Sequence, residues 1–265
     1  MEELLKGKLN EYSSDLEKRN ALREYLQSLV LKVLFEKKYF KDLIFVGGTA
    51  LRFIYRTKRF SEDLDFSSFS DKAGFLEMSA DLEKELRCYN LAVNTRKKAQ
   101  GNVRNAFIKF PGILEKLDLS PHKNETISIK LEIDYNPPKG GAVQLHLLNK
   151  DYSFYVQSYD LSSLMAGKLH AILFRKFEKG RDYYDLVWYL GKKAVPNIEL
   201  LDNAIYQTQN FRIPDLESRW KDLLKHKIAE ADFKRIVKDV LPFLEDRGEA
   251  LLLSKEHIME VLSGY

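Results

Sequence analysis

Residues 44 to 68, IFVGGTALRFIYRTKRFSEDLDFSS, constrain the fold more than any other stretch of the chain. An apolar run from Leu43 to Val46 reads as a short buried strand, Gly47 and Gly48 break it, and Thr49 to Tyr55 reads as the helix it feeds. Asp63 to Ser67 then alternates Leu64 and Phe66 with Asp63, Asp65 and Ser67, the period of a second strand. Alternation puts Asp63 and Asp65 on one face, about 6 to 7 Å apart along the strand, with Leu64 on the other.

Two glycines after a strand let the backbone approach a ligand, and the N–H groups opening the next helix suit an anion. Thr49 adds a hydroxyl there. A tight turn made for packing alone reads the same way, so the aspartates decide. Like charges gathered on a strand are tolerated mainly where a cation compensates them. Hard carboxylate oxygens with no histidine or cysteine nearby select Mg²⁺ or Mn²⁺.

A third candidate carboxylate lies in IKLEIDY, where Ile129, Leu131 and Ile133 share one face and Lys130, Glu132 and Asp134 the other. Three such acids could hold two ions about 3.5 to 4 Å apart for in-line phosphoryl displacement.

Elsewhere, Leu16, Leu22, Leu26, Leu29, Val33 and Leu34 recur at helical intervals over residues 14 to 38 behind Ser13 and Ser14, which can cap the first turn. Ser70 is placed to cap a helix running to about Tyr89. Hairpin strands LAVNTRK and NAFIKF follow, then the strand TISIKLEIDYN, a turn at PPKGG and a strand-like SFYVQSY. Beyond residue 160 the period shifts to about 3.6 in LSSLMAGKLHAILFRKF and RDYYDLVWYLGKK. The expected architecture is α+β, with residues 1–160 carrying a mixed sheet behind an N-terminal helix and residues 161–265 all helical.

Composition narrows the setting. With 265 residues, 45% of them hydrophobic, the chain can bury a core, and no window offers the roughly 18 apolar residues a membrane helix needs. One cysteine, Cys88, excludes an internal disulfide framework and is expected as a buried or half-buried thiol. The five histidines are scattered without metal-ligand spacing. A cytoplasmic protein with no membrane partner is expected. The net charge of +4 permits nucleic acid without requiring it. The acid-free run RKKAQGNVR, with Arg96, Lys97, Lys98 and Arg104, is either a solvated hairpin or a track for a phosphate backbone.

A glycine pair, a helix, an acidic dyad and an acid on another strand resemble the nucleotidyltransferase superfamily of DNA polymerase β type. More narrowly, GGTALR followed by RFSEDLDF resembles the AbiEii-type toxin family, whose helical signature is similar to LSSLMAGKLHAILFRKFEKGRDYYDL. The resemblance covers residues 43 to about 190. It implies transfer of a nucleoside monophosphate from a nucleoside triphosphate with Mg²⁺ or Mn²⁺, and a separately encoded antitoxin as partner. It implies Asp63, Asp65 and Glu132 as metal ligands, with Asp134 as a rival to Glu132. Gly47, Gly48 and Thr49 match the triphosphate turn, Arg59 and Ser61 the loop before the dyad, and Lys130 the lysine of the third strand. Lys168 is implied at the phosphates, with Asp182 or Asp185 as an acceptor-side aspartate. The 3′ end of transfer RNA is the expected acceptor; a protein or small-molecule hydroxyl, or a binding module without turnover, are the alternatives.

Overall fold

The computed structural model describes residues 2–70, 74–122 and 124–264. The chain divides into two compact units, the first comprising residues 1–56, 60–137 and 145–158, the second 57–59, 138–144 and 159–265.

In the first unit, helices α1 (Glu2–Leu9) and α2 (Asp15–Glu36) lead into β1 (Ile44–Val46), α3 (Gly47–Tyr55), β2 (Leu64–Ser67) and α4 (Phe75–Arg87). The hairpin β3 (Asn94–Lys98) and β4 (Val103–Pro111), the short α5 (Ile113–Lys116), and strands β5 (Thr126–Asp134), β6 (Val143–Asn149) and β7 (Ser153–Tyr159) complete the sheet. Helix α2 starts where the sequence places it: the Ser14 hydroxyl accepts from the Glu17 N–H at 3.2 Å, and the Glu17 carboxylate accepts from the Ser14 N–H at 2.9 Å. Its Leu22, Leu26, Leu29 and Leu34 are fully enclosed, each contributing roughly 1.5–3 kcal/mol by leaving water. Helix α4 corrects the expectation for Ser70. It begins at Phe75 with Gly74 in the capping position, and residues 71–73 lie outside the described residues. Cys88 corrects another expectation, since it is exposed.

The sheet has seven strands in the order β3-β4-β5-β2-β1-β7-β6. It is mixed: β1 runs antiparallel to β2 but parallel to β7, and β2 runs parallel to β5. Helix α2 packs on β5 and α4 on β3 and β4. The alternate residues Leu64, Phe66, Ile129, Leu131, Ile133, Ala106 and Ile108 are buried. The opposite face of β5 and β2 carries Lys130, Glu132 and Asp65, all half-exposed. Strand β6, an edge strand that the sequence pattern does not announce, presents Leu145 and Leu147 to solvent at 66% and 56% exposure.

The second unit contains α6 (Leu161–Phe174), α7 (Gly180–Gly191), α8 (Ile198–Gln209), α9 (Leu216–Glu230), α10 (Phe233–Val240) and α11 (Lys255–Ser263). Asp160 caps α6 by accepting from the Ser163 N–H at 2.8 Å, and Asn197 caps α8 by accepting from the Leu200 N–H at 3.1 Å. Gly180 is fixed by packing. A Cβ there would lie 2.1 Å from the Ile236 carbonyl oxygen, so α7 and α10 touch backbone to backbone. No helix among the described residues is long and apolar enough to cross a membrane.

Candidate active site

The glycine turn and the aspartates are built against each other. In the antiparallel pairing of β1 with β2, Val46 stands opposite Asp65. Gly47, the next residue, has φ +78°, in the left-handed region that disfavours side chains. A Cβ at Gly47 would lie 2.4 Å from Asp65 Oδ2. The group that approaches Gly47 is therefore the Asp65 carboxylate, which only glycine leaves room for. Gly48 follows half-buried in the first turn of α3.

Thr49 departs from the expected ligand-facing hydroxyl. It is fully buried, and its Oγ1 donates to the carbonyl oxygen of Asp63. A hydroxyl without access to water needs an internal acceptor. Here that bond ties the first turn of α3 to Asp63, the residue just before β2. Ser61, two residues earlier, is held through its carbonyl oxygen, which accepts from Gln27 Nε2 of α2 at 3.1 Å.

The third carboxylate is set by register. In the parallel pairing of β2 with β5, Asp65 stands opposite Glu132 and Ser67 opposite Asp134. Adjacent strands lie roughly 4.8 Å apart, so Asp65 and Glu132 are neighbours on one face. Asp134 sits further along, where its carboxylate accepts from the Asn136 N–H at 2.9 Å. Burial, joined by the nearby charge of Glu132, pushes Asp134 above the usual carboxylate range.

Lys130 balances this face. Its ammonium donates to the Glu132 carboxylate. Burial works against that charge, but Glu132, Asp63 and Asp65 outweigh it and raise the lysine above its ordinary value. Asp63, Asp65 and Glu132 thus all act on the charge of Lys130. The donor set is all hard oxygen, which is the chemistry Mg²⁺ takes. Among the described residues no three carboxylate, histidine or cysteine groups stand as a ready-made metal cage, and Glu132 pairs with Lys130.

Helix α3 is anchored from behind by Glu24 of α2, which sequence reasoning does not single out. Arg52 Nη2 donates to the Glu24 carboxylate at 3.3 Å, Lys150 also pairs with it, and the Arg52 guanidinium lies 4.9 Å from the Phe60 ring centre. Burial favours a neutral Glu24, yet Arg52 and Lys150 overcome it and hold the carboxyl below its ordinary value.

The remaining expected residues lie in the second unit and form a cluster of their own. Arg59 is 1% exposed and grips Asp185 with two parallel bonds, Nε to Oδ1 at 2.6 Å and Nη2 to Oδ2 at 2.7 Å. Lys168 lies between two aspartates, 2.9 Å from each of Asp182 Oδ1 and Asp185 Oδ2, and Arg175 also reaches Asp182. Burial opposes the charge on Lys168, but Asp185 and Asp182 raise it. Asp185 is likewise held below its ordinary value against its own burial by Arg59 and Lys168. The sequence offers no sign of the Arg59–Asp185 pair, whose partners lie 126 positions apart.

The family model described as nucleotidyl transferase AbiEii toxin, type IV toxin–antitoxin system, matches residues 29–260. Among solved structures the chain is similar to a provisionally named nucleotidyltransferase from Helicobacter pylori, with 19% identity, 92% of this chain and 95% of that one covered, and a TM-score of 0.56. It is also similar to JHP933 from Helicobacter pylori, with 17% identity, 92% of each chain covered and a TM-score of 0.54. At these identities the structural likeness shows the fold. No curated protein matches.

Proposed function

Because this chain belongs to the AbiEii nucleotidyl transferase toxin family of type IV toxin–antitoxin systems, we propose that its residues 1–160 form a metal-dependent catalytic domain that transfers a nucleoside monophosphate to the 3′ end of transfer RNA, with residues 161–265 as a helical companion. Membership itself makes the chain a nucleotidyltransferase, with a nucleoside triphosphate as substrate and an antitoxin as partner. The observation that supports the metal-dependent reading is the register of β2 on β5, which sets Asp65, packed against Gly47, beside Glu132 on one sheet face.

Asp63, Asp65 and Glu132 would hold Mg²⁺. Held there, it would supply positive charge to the triphosphate and make the acceptor hydroxyl easier to ionise. The acceptor hydroxyl gives up its proton to water as its oxygen attacks the α-phosphorus, the bond from that phosphorus to the bridging oxygen breaks, and pyrophosphate leaves. Backbone N–H groups at Gly47 and Gly48 are suited to the triphosphate, at the start of a helix. Lys130, already drawn to the acids, supplies a cation beside them. Thr49 and Ser61 act by position, fixing the chain at Asp63 and two residues before it. Arg59 serves in the same way, since its cation is committed to Asp185. Family resemblance supports a phosphate role for Lys168 and an acceptor-side role for Asp182.

Incubation with each labelled nucleoside triphosphate and total RNA tests this reading. Label should enter the transfer RNA fraction with wild type and fail to enter with Asp63→Ala. Label entering RNA equally with Asp63→Ala, or entering only protein or a small molecule, would remove it.

A further inference from the structure

The acidic face continues outward across the sheet. In strand register, Asp65 stands opposite Glu132, Glu132 opposite Asn105, and Asn105 opposite Lys98, forming one transverse row through β2, β5, β4 and β3. The next row sets Lys130 opposite Phe107, and Phe107 opposite Arg96. A third sets Ser128 opposite Lys109, and Lys109 opposite Asn94. Residues paired in register project to one face, so all of these share the face of Asp65 and Glu132. Burial agrees: Ala106, Ile108 and Phe110 are enclosed on the helix side, while Asn105 is half-exposed and Lys109 exposed.

The outer part of this face is cationic. Arg96, Lys98 and Lys109 are exposed, and among the described residues none of them is in an ion pair. Between them stands Phe107, an aromatic ring 37% exposed, and Val103 at the outer end of the same face of β4 is 42% exposed. A ring there contributes little to the core, whose side of β4 is already filled by Ala106, Ile108 and Phe110. Cations around an exposed ring on a sheet surface are what an unpaired, stacked nucleotide strand requires, whereas a duplex hides its base faces. Strand β4 lies two strand spacings, roughly 10 Å, from β2.

We propose that this shelf binds the single-stranded 3′ end of the RNA acceptor, with a base stacked on Phe107 and the backbone held by Arg96, Lys98 and Lys109, so that the strand runs toward the carboxylates. The RNA identity of the strand rests on the acceptor reading above. The shelf's affinity for unpaired nucleotides rests on the register alone. The sheet face is then divided by charge: its outer half receives the strand, and its inner half, at Asp63, Asp65 and Glu132, rejects phosphate unless a cation intervenes.

The test is fluorescence anisotropy of the full-length chain with a labelled single-stranded RNA oligonucleotide, without nucleoside triphosphate, alongside a blunt RNA duplex and single-stranded DNA of the same sequence. Phe107→Leu, which keeps an apolar strand residue, should weaken RNA binding about 5- to 150-fold, and Phe107→Tyr should restore it. The triple variant Arg96→Ala, Lys98→Ala, Lys109→Ala should weaken binding at low salt and reduce the slope of log affinity against log salt by about 2, at roughly 0.7 for each phosphate that is no longer neutralised. Melting temperatures should match wild type. Equal binding by Phe107→Leu, equal binding of the blunt duplex, or tighter binding of DNA than RNA would overturn the proposal. Because no turnover is measured, the outcomes separate. A chain that binds RNA through Phe107 but transfers no label loses the activity alone. One that labels RNA with every shelf variant behaving as wild type loses the shelf alone.

Discussion

Asp65 and Asp185 are both aspartates on regular elements, close to other charges, yet their surroundings oppose each other. Asp65 is half-exposed on a sheet face, opposite Glu132 in register and close enough to Lys130 to raise it. Asp185 is 0% exposed and bound on both oxygens, by Arg59 and Lys168. An excess of negative charge left reachable by water is poor for stability and good for recruiting a cation. A buried carboxylate with matched partners does the reverse. It fixes Arg59 to α7, and removing one partner strands the others.

The largest expected effect is therefore at the buried cluster. Asp185→Asn leaves the Arg59 guanidinium enclosed without its counter-charge, at about 3–5 kcal/mol. At about 2–4 °C per kcal/mol for a chain of this size, melting should drop by roughly 10 °C. Asp185 is held below its ordinary value in the folded chain. Its contribution is thus present above the unfolded aspartate value near 3.9 and lost as pH falls through the folded value. The gap between variant and wild type should narrow below about pH 4. A variant melting with wild type at pH 7 would erase the distinction between the clusters.

Asp65→Asn should do the opposite. Nucleotide transfer should fall by more than the roughly 100-fold that loss of an outer-shell partner costs, while melting stays level or rises as like-charge repulsion is relieved. Activity retained with lowered stability would place Asp65 among the structural ion pairs. Gly47→Ala sharpens the same point at smaller scale. The added Cβ would meet Asp65 Oδ2 at 2.4 Å, and φ +78° adds backbone strain of about 1–2 kcal/mol. Transfer should drop at least tenfold with only a few degrees lost in melting. Equal activity would mean that the Asp65 position is not exacting.

These contrasts are unevenly legible in the sequence. The dyad, the glycine turn and the capped α2 can be read because each depends on residues within a few positions of one another, where alternation and capping chemistry operate. The partner of Asp65 cannot be chosen there. Glu132 and Asp134 share a face of β5, and only the register of β2 on β5 separates them. Thr49 misleads for a related reason. Its hydroxyl lies beside a helix N-terminus in sequence, but burial turns it to the Asp63 carbonyl. Arg59 reads as part of the loop before the dyad, whereas its pairing is set by a helix far along the chain. Strand β6 is hidden because its Leu145 and Leu147 face solvent, so hydrophobicity there does not report a core.

The choice between Glu132 and Asp134 supplies the smallest effect on stability and the finest discrimination. Both sit on β5 and both are half-buried. Lys130 compensates Glu132, while Asp134 is raised first by burial and then by Glu132 itself. A carboxyl raised in the folded state favours folding while protonated, and that contribution is lost as pH rises through the folded value. At pH 7 an ionised Asp134 therefore works slightly against the fold. Asp134→Asn should melt level with or a little above wild type at pH 7, the difference vanishing below about pH 4, with transfer nearly intact. Glu132→Gln should abolish transfer. If Asp134→Asn lost transfer while Glu132→Gln kept it, the third carboxylate would be the one opposite Ser67, and the in-register reading of the acidic face would fail.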